Sequence, residues 1–374
     1  WEQTQMLTAT ELDGDPPYAN GEFGAALALD GDALLVGQPG YGNDAGNVVF
    51  FKRYAPENLF ERDVIKLPHD RDPGDRLGSS VDIDYPYVVY GAPGADLAYV
   101  SIFPFYQNFG ISILEPSLTQ RSWQAGSSDP MAFGASVAIQ QDMVVVGAPG
   151  FDLQGPVNDQ GAAFFCHRGD PVLIIAPDTQ LNAEFGSSVA FLGRAIAIGQ
   201  PGYLTATPFP NGATGAVSLY QLRLIDAVPN ISLQNTFISN NPSINGRFGE
   251  TVALSSRWLA VGEPDNPTGG SLYLFPRFNP INTPSNIDPT PQRRFDGPAG
   301  SQFGTALAID DLNLIVGLPG SGQVDFYRLM NDRDSWGYAA FGEAVRDPAL
   351  EDTVWGDLAD KDRDGLSNRM EYLT

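Results

Sequence analysis

The stretch FGASVAIQQDMVVVGAPG, residues 133 to 150, recurs along the chain in six recognisable copies. Each copy begins with phenylalanine or leucine followed by glycine, and five of the six end in glycine-x-proline-glycine. The copies start at Phe23, Leu77, Phe133, Phe185, Phe248 and Phe303. A period of roughly fifty to sixty residues indicates a repeat architecture, in which each unit buries its faces against its neighbours.

Each copy has the pattern of two short strands joined by a turn. Val137 and Ile139 occupy alternate positions, which is the period of a half-buried strand. After a few turn-forming residues, the apolar run from Met143 to Val146 predicts a central strand that is covered on both faces. Glycine-x-proline ends this strand, because proline has no N–H group to donate to a neighbouring strand.

A third strand is predicted after each copy, and a weaker fourth strand before the next one. Examples of the third are GNVVFFKR from Gly46, GAAFFCHR from Gly161 and GQVDFYRL from Gly322, and an example of the fourth is ISILEP from Ile111. Four antiparallel strands per repeat predict an all-β fold, a β-propeller. The last copy lacks a fourth strand, so we expect residues 1 to 7 to close the last blade.

The copies resemble FG-GAP repeats, which form the blades of the integrin α-subunit propeller and of many bacterial secreted and surface proteins. The resemblance covers about residues 1 to 330 and implies a propeller, for which we favour six blades. A seventh would have to come from FGEAV at 341, where no GAP-like strand follows. Integrin-type blades often carry calcium loops between their first two strands, but the links here, such as QQD at 140 to 142, are too short and too poor in oxygen ligands.

Composition agrees with an extracellular all-β protein. The formal net charge of −24 argues against nucleic acid or an anionic membrane as a partner. No apolar run is long enough to span a membrane, and the single Cys166 excludes an internal disulfide. The chain starts at Trp1 rather than Met, so we expect that a signal peptide was removed and that the protein is secreted or lies at the cell surface.

No catalytic set is recognisable. The two histidines are His69 and His167, and His167 directly follows Cys166, so that on a strand these two side chains point to opposite faces. Acidic turns such as HDRDPGDR before Leu77 are interpreted as turn caps rather than as metal ligands or an acid/base pair. We therefore expect that the chain is not an enzyme and has no catalytic residues, although two carboxylates for glycoside hydrolysis could come from anywhere in so acidic a chain.

Residues 360 to 371, DKDRDGLSNRME, fit the twelve-residue calcium loop D-x-[DN]-x-[DN]-G-x5-E at every specified position. The segment resembles dockerin and thrombospondin type 3 calcium loops, but only one loop is present. We expect residues 331 to 374 to form an arm that calcium stiffens. The predicted Ca²⁺ ligands are the side chains of Asp360, Asp362, Asp364, Asn368 and Glu371 and the backbone carbonyl of Leu366.

Two classes of function are consistent with these features. In the first, a propeller scaffold binds partner proteins or assembles with itself, head to tail, through the calcium-stiffened arm or by strand exchange. In the second, a lectin or a glycan-active enzyme uses the propeller mouth or the long loops that start near residues 151, 203 and 278. We favour the first, and with it extracellular adhesion or a surface filament.

Overall fold

The computed structural model describes residues 5–7, 21–54, 59–63, 72–102, 118–121, 131–152, 159–167, 171–204, 213–225, 228–277 and 290–329, and every structural statement below concerns these residues. The chain divides into two compact units, Trp1–Ile309 with Ile315–Asp325, and Asp310–Leu314 with Phe326–Thr374. The predicted arm, residues 331 to 374, lies outside the described residues, and so does FGEAV at 341. The predicted boundary after residue 330 therefore stays a prediction.

The strands form six sheets, in each of which consecutive strands are neighbours. The first sheet contains β1 (Ala26–Asp30), β2 (Ala33–Gln38), β3 (Asn47–Tyr54) and β4 (Leu59–Asp63), and the second contains β5 (Val81–Asp84), β6 (Tyr87–Ala92), β7 (Leu97–Ile102) and β8 (Leu118–Arg121). The third contains β9 (Ser136–Gln140), β10 (Met143–Ala148), β11 (Ala162–Cys166) and β12 (Val172–Ile174), and the fourth contains β13 (Val189–Leu192), β14 (Ala195–Gln200), β15 (Ala216–Ile225) and β16 (Val228–Phe237). The fifth contains β17 (Thr251–Leu254), β18 (Trp258–Glu263), β19 (Ser271–Pro276) and β20 (Arg293–Asp296), and the sixth contains β21 (Ala306–Ile309), β22 (Asn313–Leu318) and β23 (Gln323–Arg328).

Helical structure is limited, in the described part of the chain, to α1 (Tyr41–Asp44) and a 3-10 turn (Pro319–Ser321). None of the helices described is long and apolar enough to cross a membrane. The fold is therefore all-β, as the alternating pattern predicts.

The first strand of each sheet packs against the first strand of the next, from β1 and β5 through to β17 and β21. This arrangement confirms the predicted β-propeller. The blade number differs from the expected six, because five sheets have four strands and the sixth has three. Its physical reason is the one visible in the sequence, namely that the sixth repeat carries no fourth strand of its own.

The core lies between neighbouring sheets. Between the second and third sheets, Val89 packs with Val137, Ile139, Val144 and Val146. Between the third and fourth, Val145 and Phe165 pack with Ile196 and Ile198. The central strands of the second to fifth sheets thus bury both faces, one against each neighbour, which explains their continuous apolar runs.

The described N-terminal residues lie against the first sheet. The Gln5 side-chain amide donates to the Phe60 carbonyl at 2.7 Å and accepts from the Phe60 N–H at 2.8 Å. Leu7 packs on the cluster of Val36, Val49 and Phe51. Residues 1 to 4 lie outside the described part, so closure of the last blade by residues 1 to 7 stays a prediction.

Candidate functional site: the FG face

The residue before each FG or LG pair has an unusual backbone. Positive φ is uncommon outside glycine, yet six equivalent positions adopt φ between 52° and 59°. Each accepts a hydrogen bond at its carbonyl from the N–H three residues on, which closes a tight turn. These pre-FG positions are Glu22, Arg76, Ala132, Glu184, Arg247 and Gln302.

The pre-FG positions share one end of the propeller with the links between second and third strands. In the first sheet, for example, the Gly24 N–H donates to the Gly37 carbonyl at 3.0 Å, so the start of β1 lies beside the end of β2. We define the FG face as the pre-FG positions together with these links. Loops at the ends of rigid sheets are common binding sites in proteins.

Two ion-pair clusters lie on the FG face, and each joins neighbouring repeats. Arg76 lies 2.7 Å from a Glu22 oxygen and 3.5 Å from an Asp44 oxygen. Arg247 lies 2.6 Å from Glu250 and 3.2 Å from Glu184. Carboxylates outnumber arginines in both clusters, so the FG face favours a cationic partner group over an anion.

Burial and neighbouring charges oppose each other in the Arg247 cluster. Burial lowers the pKa of Arg247, but the carboxylates of Glu250, Glu184 and Asp265 outweigh it and hold this pKa above its ordinary value. Burial raises the pKa of Glu250 more than Arg247 lowers it. Arg247 is therefore fixed as a cation by its neighbours, which suits a structural link between the fourth and fifth repeats.

A second polar cluster lies inside the fifth blade. Glu263 is fully buried and accepts hydrogen bonds from Tyr273 Oη at 2.6 Å and Ser243 Oγ at 3.0 Å, and Ser239 Oγ lies 2.9 Å from Tyr273 Oη. Burial, and then the Glu263 charge, raise the pKa of Tyr273. A carboxylate with no exposed surface cannot contact a substrate, so this cluster acts within the fold.

The thiol and the imidazole do not form a nucleophile and base pair. Cys166 is buried in the core between the second and third sheets, and burial raises its pKa to about 12, which keeps the thiol protonated. His167 Nε2 faces Asp142 Oδ2 at 3.5 Å. His69 lies outside the described residues. The thiol therefore behaves as a small apolar side chain.

The acidic turn before Leu77 is closed by its own side chains. The Asp72 N–H donates to Asp75 Oδ2 at 2.8 Å, which is the capping role that its sequence indicates. Within the described ranges, no three His, Cys, Asp or Glu side chains are grouped so that they could hold a metal ion. The predicted calcium ligands, Asp360 to Glu371, lie outside these ranges.

Sequence reasoning missed the pre-FG positions and the Glu263 cluster. The pre-FG positions could have been found by aligning the copies, because four of the six residues before the FG or LG pair are charged. In order they are Glu, Arg, Ala, Glu, Arg and Gln. The Glu263 cluster also had a signal, because Glu263 is the single acidic residue between the glycine and the proline of the six copies. Their hydrogen-bond partners come from other elements, and a linear motif does not show them.

Comparison with known proteins supports the repeat. A profile described as FG-GAP repeat matches residues 126–165. No curated protein matches the sequence significantly.

Several solved structures share the fold. A proposed 6-phosphogluconolactonase from Bacteroides uniformis is 11% identical, with a TM-score of 0.52 over 83% of this chain and 82% of that one. Another from Bacteroides fragilis is 10% identical, with a TM-score of 0.54 over 82% of this chain and 80% of that one. A protein from Lactobacillus plantarum is 11% identical, with a TM-score of 0.50 over 83% and 82%. At these identities the likeness shows the fold alone.

These structures correct one expectation. From the sequence we expected that the chain is not an enzyme, because no catalytic motif is recognisable. Two proteins with the same fold are proposed lactonases, so a propeller without such a motif is compatible with catalysis. The physical reason is that loops from several blades can build a site together, and no contiguous motif then reveals it. The sheet arrangement shows that the chain is a β-propeller, and residues 126–165 within it match the FG-GAP repeat.

Proposed function

We propose that the chain is an extracellular scaffold that acts through protein–protein contact, either by binding partner proteins or by assembling with itself. The observation that carries the proposal is a pair of apolar sheet faces that the described residues leave exposed. Leu27 and Leu29 on the first sheet and Ile315 and Val324 on the sixth are all more than 40% exposed. Apolar surface removed from water contributes about 25 cal/mol per Å², so contact with another protein would stabilise both faces.

The FG-GAP repeat supports an extracellular location, because such repeats are typical of extracellular proteins. The FG face supports contact with a basic protein surface, because carboxylates exceed arginines in both of its clusters. Charge complementarity of this kind increases association rates and selects partners.

Calcium is the second part of the proposal. Asp360, Asp362, Asp364, Asn368 and Glu371 supply side-chain oxygens, and Leu366 supplies a carbonyl. With Glu371 bidentate, this set reaches the six to eight hard oxygens that Ca²⁺ prefers. When bound, the ion would stiffen the arm of residues 331 to 374 and so prepare it to dock on a neighbouring molecule.

The experiment uses the full chain in calcium and in chelator, followed by electron microscopy and sedimentation velocity. We expect multimers in calcium and smaller species in chelator. The variant Asp362→Asn with Asp364→Asn should behave in calcium as the wild type does in chelator, while Asp352→Asn with Asp357→Asn, outside the loop, controls for lost charge. Single particles under every condition would contradict self-assembly, and no heat of calcium binding in calorimetry would contradict the metal site.

A second candidate is a sugar-directed function, as a lectin or an enzyme, and it is favoured by the fold shared with the two Bacteroides proteins. Arg76 and Arg247 are the described cations of the FG face, and both are already paired with carboxylates, so a sugar phosphate would have to displace an ion pair to reach them. Binding on a glycan array, or hydrolysis of 6-phosphogluconolactone that is lost in Arg76→Ala or Arg247→Ala, would favour it. Arg223→Ala, at an exposed arginine of β15 away from the FG face, is the matched control.

A further inference from the structure

Each described joint between neighbouring sheets contains two glycines in backbone contact. The carbonyl oxygen of the FG or LG glycine lies where a Cβ atom would stand on the glycine that precedes x-Pro in the preceding sheet. These joint glycines are Gly37, Gly91, Gly147, Gly199 and Gly262. The residue after each of them is buried, and in three sheets it is polar, namely Gln38, Gln200 and Glu263. A buried polar side chain needs a hydrogen-bond partner, and these three differ in how they find one.

Two of the three side chains are paired within the protein. In the first sheet, the Asn47 amide donates to Gln38 Oε1 at 3.4 Å. In the fifth sheet, Glu263 accepts from Tyr273 Oη, as described above, and two serine hydroxyls complete the cluster. At both positions, neighbouring side chains thus supply the partners of the buried polar group.

Gln200 of the fourth sheet is the exception. Its Nε2 is buried and has no hydrogen-bond partner among the described residues. Its strand partner is Ala216, where the first sheet has the asparagine. In the linker before the FG pair, Ala176 and Gln180 replace the two serines of the fifth-sheet cluster. Gln180 bonds instead to the backbone of Leu204, at 2.7 Å and 3.1 Å, so it is not available to Gln200.

Ser218 takes the place of the fifth-sheet tyrosine. Tyr273 pairs with the residue two before Glu263. Ser218 likewise pairs with the residue two before Gln200. Serine lacks the whole phenol ring, so it does not fill the space that the ring fills in the fifth sheet. Ser218 Oγ is also buried and has no hydrogen-bond partner among the described residues.

The two unpaired groups lie on the same face of the fourth sheet, towards the third. They share this face with Ile198 and Tyr220, which pack against the third sheet. Tyr220 Oη donates to the Ile175 carbonyl at 2.9 Å, so its proton is already used. Burial raises the pKa of Tyr220, and the Ser218 hydroxyl lowers it in part. The buried space between these sheets is therefore lined by an amide and a hydroxyl that both lack a partner.

We propose that a water molecule is bound at the joint between the third and fourth sheets, where it accepts from Gln200 Nε2 and donates to Ser218 Oγ. Buried waters in proteins bond to about two to four polar groups that otherwise have no partner. The two groups are neutral, and a neutral ligand that both donates and accepts suits them, whereas a buried ion would need an opposite charge. This site lies within the fold and is independent of the proposed scaffold function.

The test counts long-lived water molecules in the full chain by magnetic relaxation dispersion of labelled water. Gln200→Met keeps the length of the side chain and removes the amide, so we expect one long-lived water fewer than in wild type. Ser188→Ala is the matched control, because Ser188 Oγ already donates to the Gly249 carbonyl and needs no water. Its count should equal that of wild type. An unchanged count in Gln200→Met would overturn the proposal.

Two further measurements locate the water. Ser218→Ala removes one of its two partners, so the residence time of the water should fall at least ten-fold, and an unchanged residence time would overturn the proposal. A high-resolution crystal structure of the wild type should show density about 2.7–3.2 Å from both Gln200 Nε2 and Ser218 Oγ. A direct hydrogen bond between these two side chains, with no density between them, would also overturn it.

Discussion

The same repeat sequence lies in different environments in different sheets. It is packed at the joint between the third and fourth sheets, and it is exposed on the outer faces of the first and sixth sheets. At the joint, Gly147 receives the Gly186 carbonyl and Val145 is fully buried. On the sixth sheet, the nearest described atom to a Cβ on Gly317 is the Cβ of Ala306 in the same sheet, and Ile315 is 42% exposed. The same residue types are thus structural in one place and available for contact in the other, so a substitution should have opposite consequences in the two regions.

The largest contrast is expected for the joint glycines. Gly147→Ala would place a Cβ against the Gly186 carbonyl and Ser136 Oγ, so one sheet must move. Overpacking of this kind costs about 3 kcal/mol or more of unfolding free energy. Gly317→Ala is the matched control and should cost about 1 kcal/mol, because its Cβ would lie 3.1 Å from the Cβ of Ala306, a tight contact that a shift of a few tenths of an ångström relieves. Urea unfolding of both variants measures this, and equal losses would break the comparison.

Next in size is the buried carboxylate of the fifth blade. Glu263→Ala would leave the hydroxyls of Tyr273 and Ser243 without their acceptor, at a cost of about 2–3 kcal/mol. Glu263→Gln keeps the shape of the side chain and one acceptor oxygen. The equivalent positions of the first and fourth repeats carry Gln38 and Gln200, so this substitution should cost about 1 kcal/mol or less. Thermal unfolding of the two variants checks the order. A greater loss in Glu263→Gln would show that the charge itself is required.

A smaller, pH-dependent effect is expected at the joint of the second and third sheets. Asp82 Oδ2 accepts from the Ile139 N–H at 2.8 Å, and burial raises the pKa of Asp82 from 3.8 to about 6. Because the folded pKa lies above the unfolded one, this group's contribution to stability is present below pH 4 and is lost as the pH rises through about 6.

Asp82→Asn removes that titration. As the pH rises from 4 to 7, the unfolding free energy of Asp82→Asn should therefore increase by about 1–2 kcal/mol relative to that of wild type. This is less than the full pKa shift of Asp82 implies, because solvent screens this partly exposed carboxylate. Urea unfolding at several pH values measures the difference. Asp32→Asn, at an exposed carboxylate of the first sheet, is the control, and a parallel pH profile for Asp82→Asn and wild type would contradict the assignment.

The repeat unit could be predicted from the sequence because its signals are local. Alternation at Val137 and Ile139, the apolar run from Met143 and the terminal Gly-x-Pro each specify a strand or its end, and repetition reinforces them. The uncovered faces could not be predicted, because Leu27 and Val137 have the same apolar character and only the neighbouring sheet distinguishes them. Five sheets rather than six are complete because the sixth repeat has no fourth strand of its own, which its sequence shows, and the closure expected from residues 1 to 7 stays a prediction.

The FG face was also beyond local reasoning. Arg76 and Glu22 are far apart in the sequence, and the repeat brings them to 2.7 Å only when neighbouring sheets are in place. The acidic turn at Asp72 and Asp75 was interpreted correctly as a cap because both partners lie within one turn. Side chains that act within a turn are predictable, whereas those that join two blades need the fold.

The smallest effect is expected at the hydroxyl groups that join the sheets. Ser188 Oγ donates to the Gly249 carbonyl at 2.7 Å, and Ser80, Ser136 and Thr251 make the equivalent bond at their own joints. Ser188→Ala should lower the unfolding free energy by about 1 kcal/mol, the usual net contribution of one hydrogen bond. Chemical unfolding resolves a loss of this size.

The corresponding position on the sixth sheet is Ala306, which has no hydroxyl to offer. Ala306→Ser should leave the unfolding free energy of the single molecule within about 0.5 kcal/mol of wild type, because this exposed position forms no joint there. Urea unfolding of Ala306→Ser and wild type measures the difference. A loss of more than about 1 kcal/mol would show that position 306 already packs against another part of the chain.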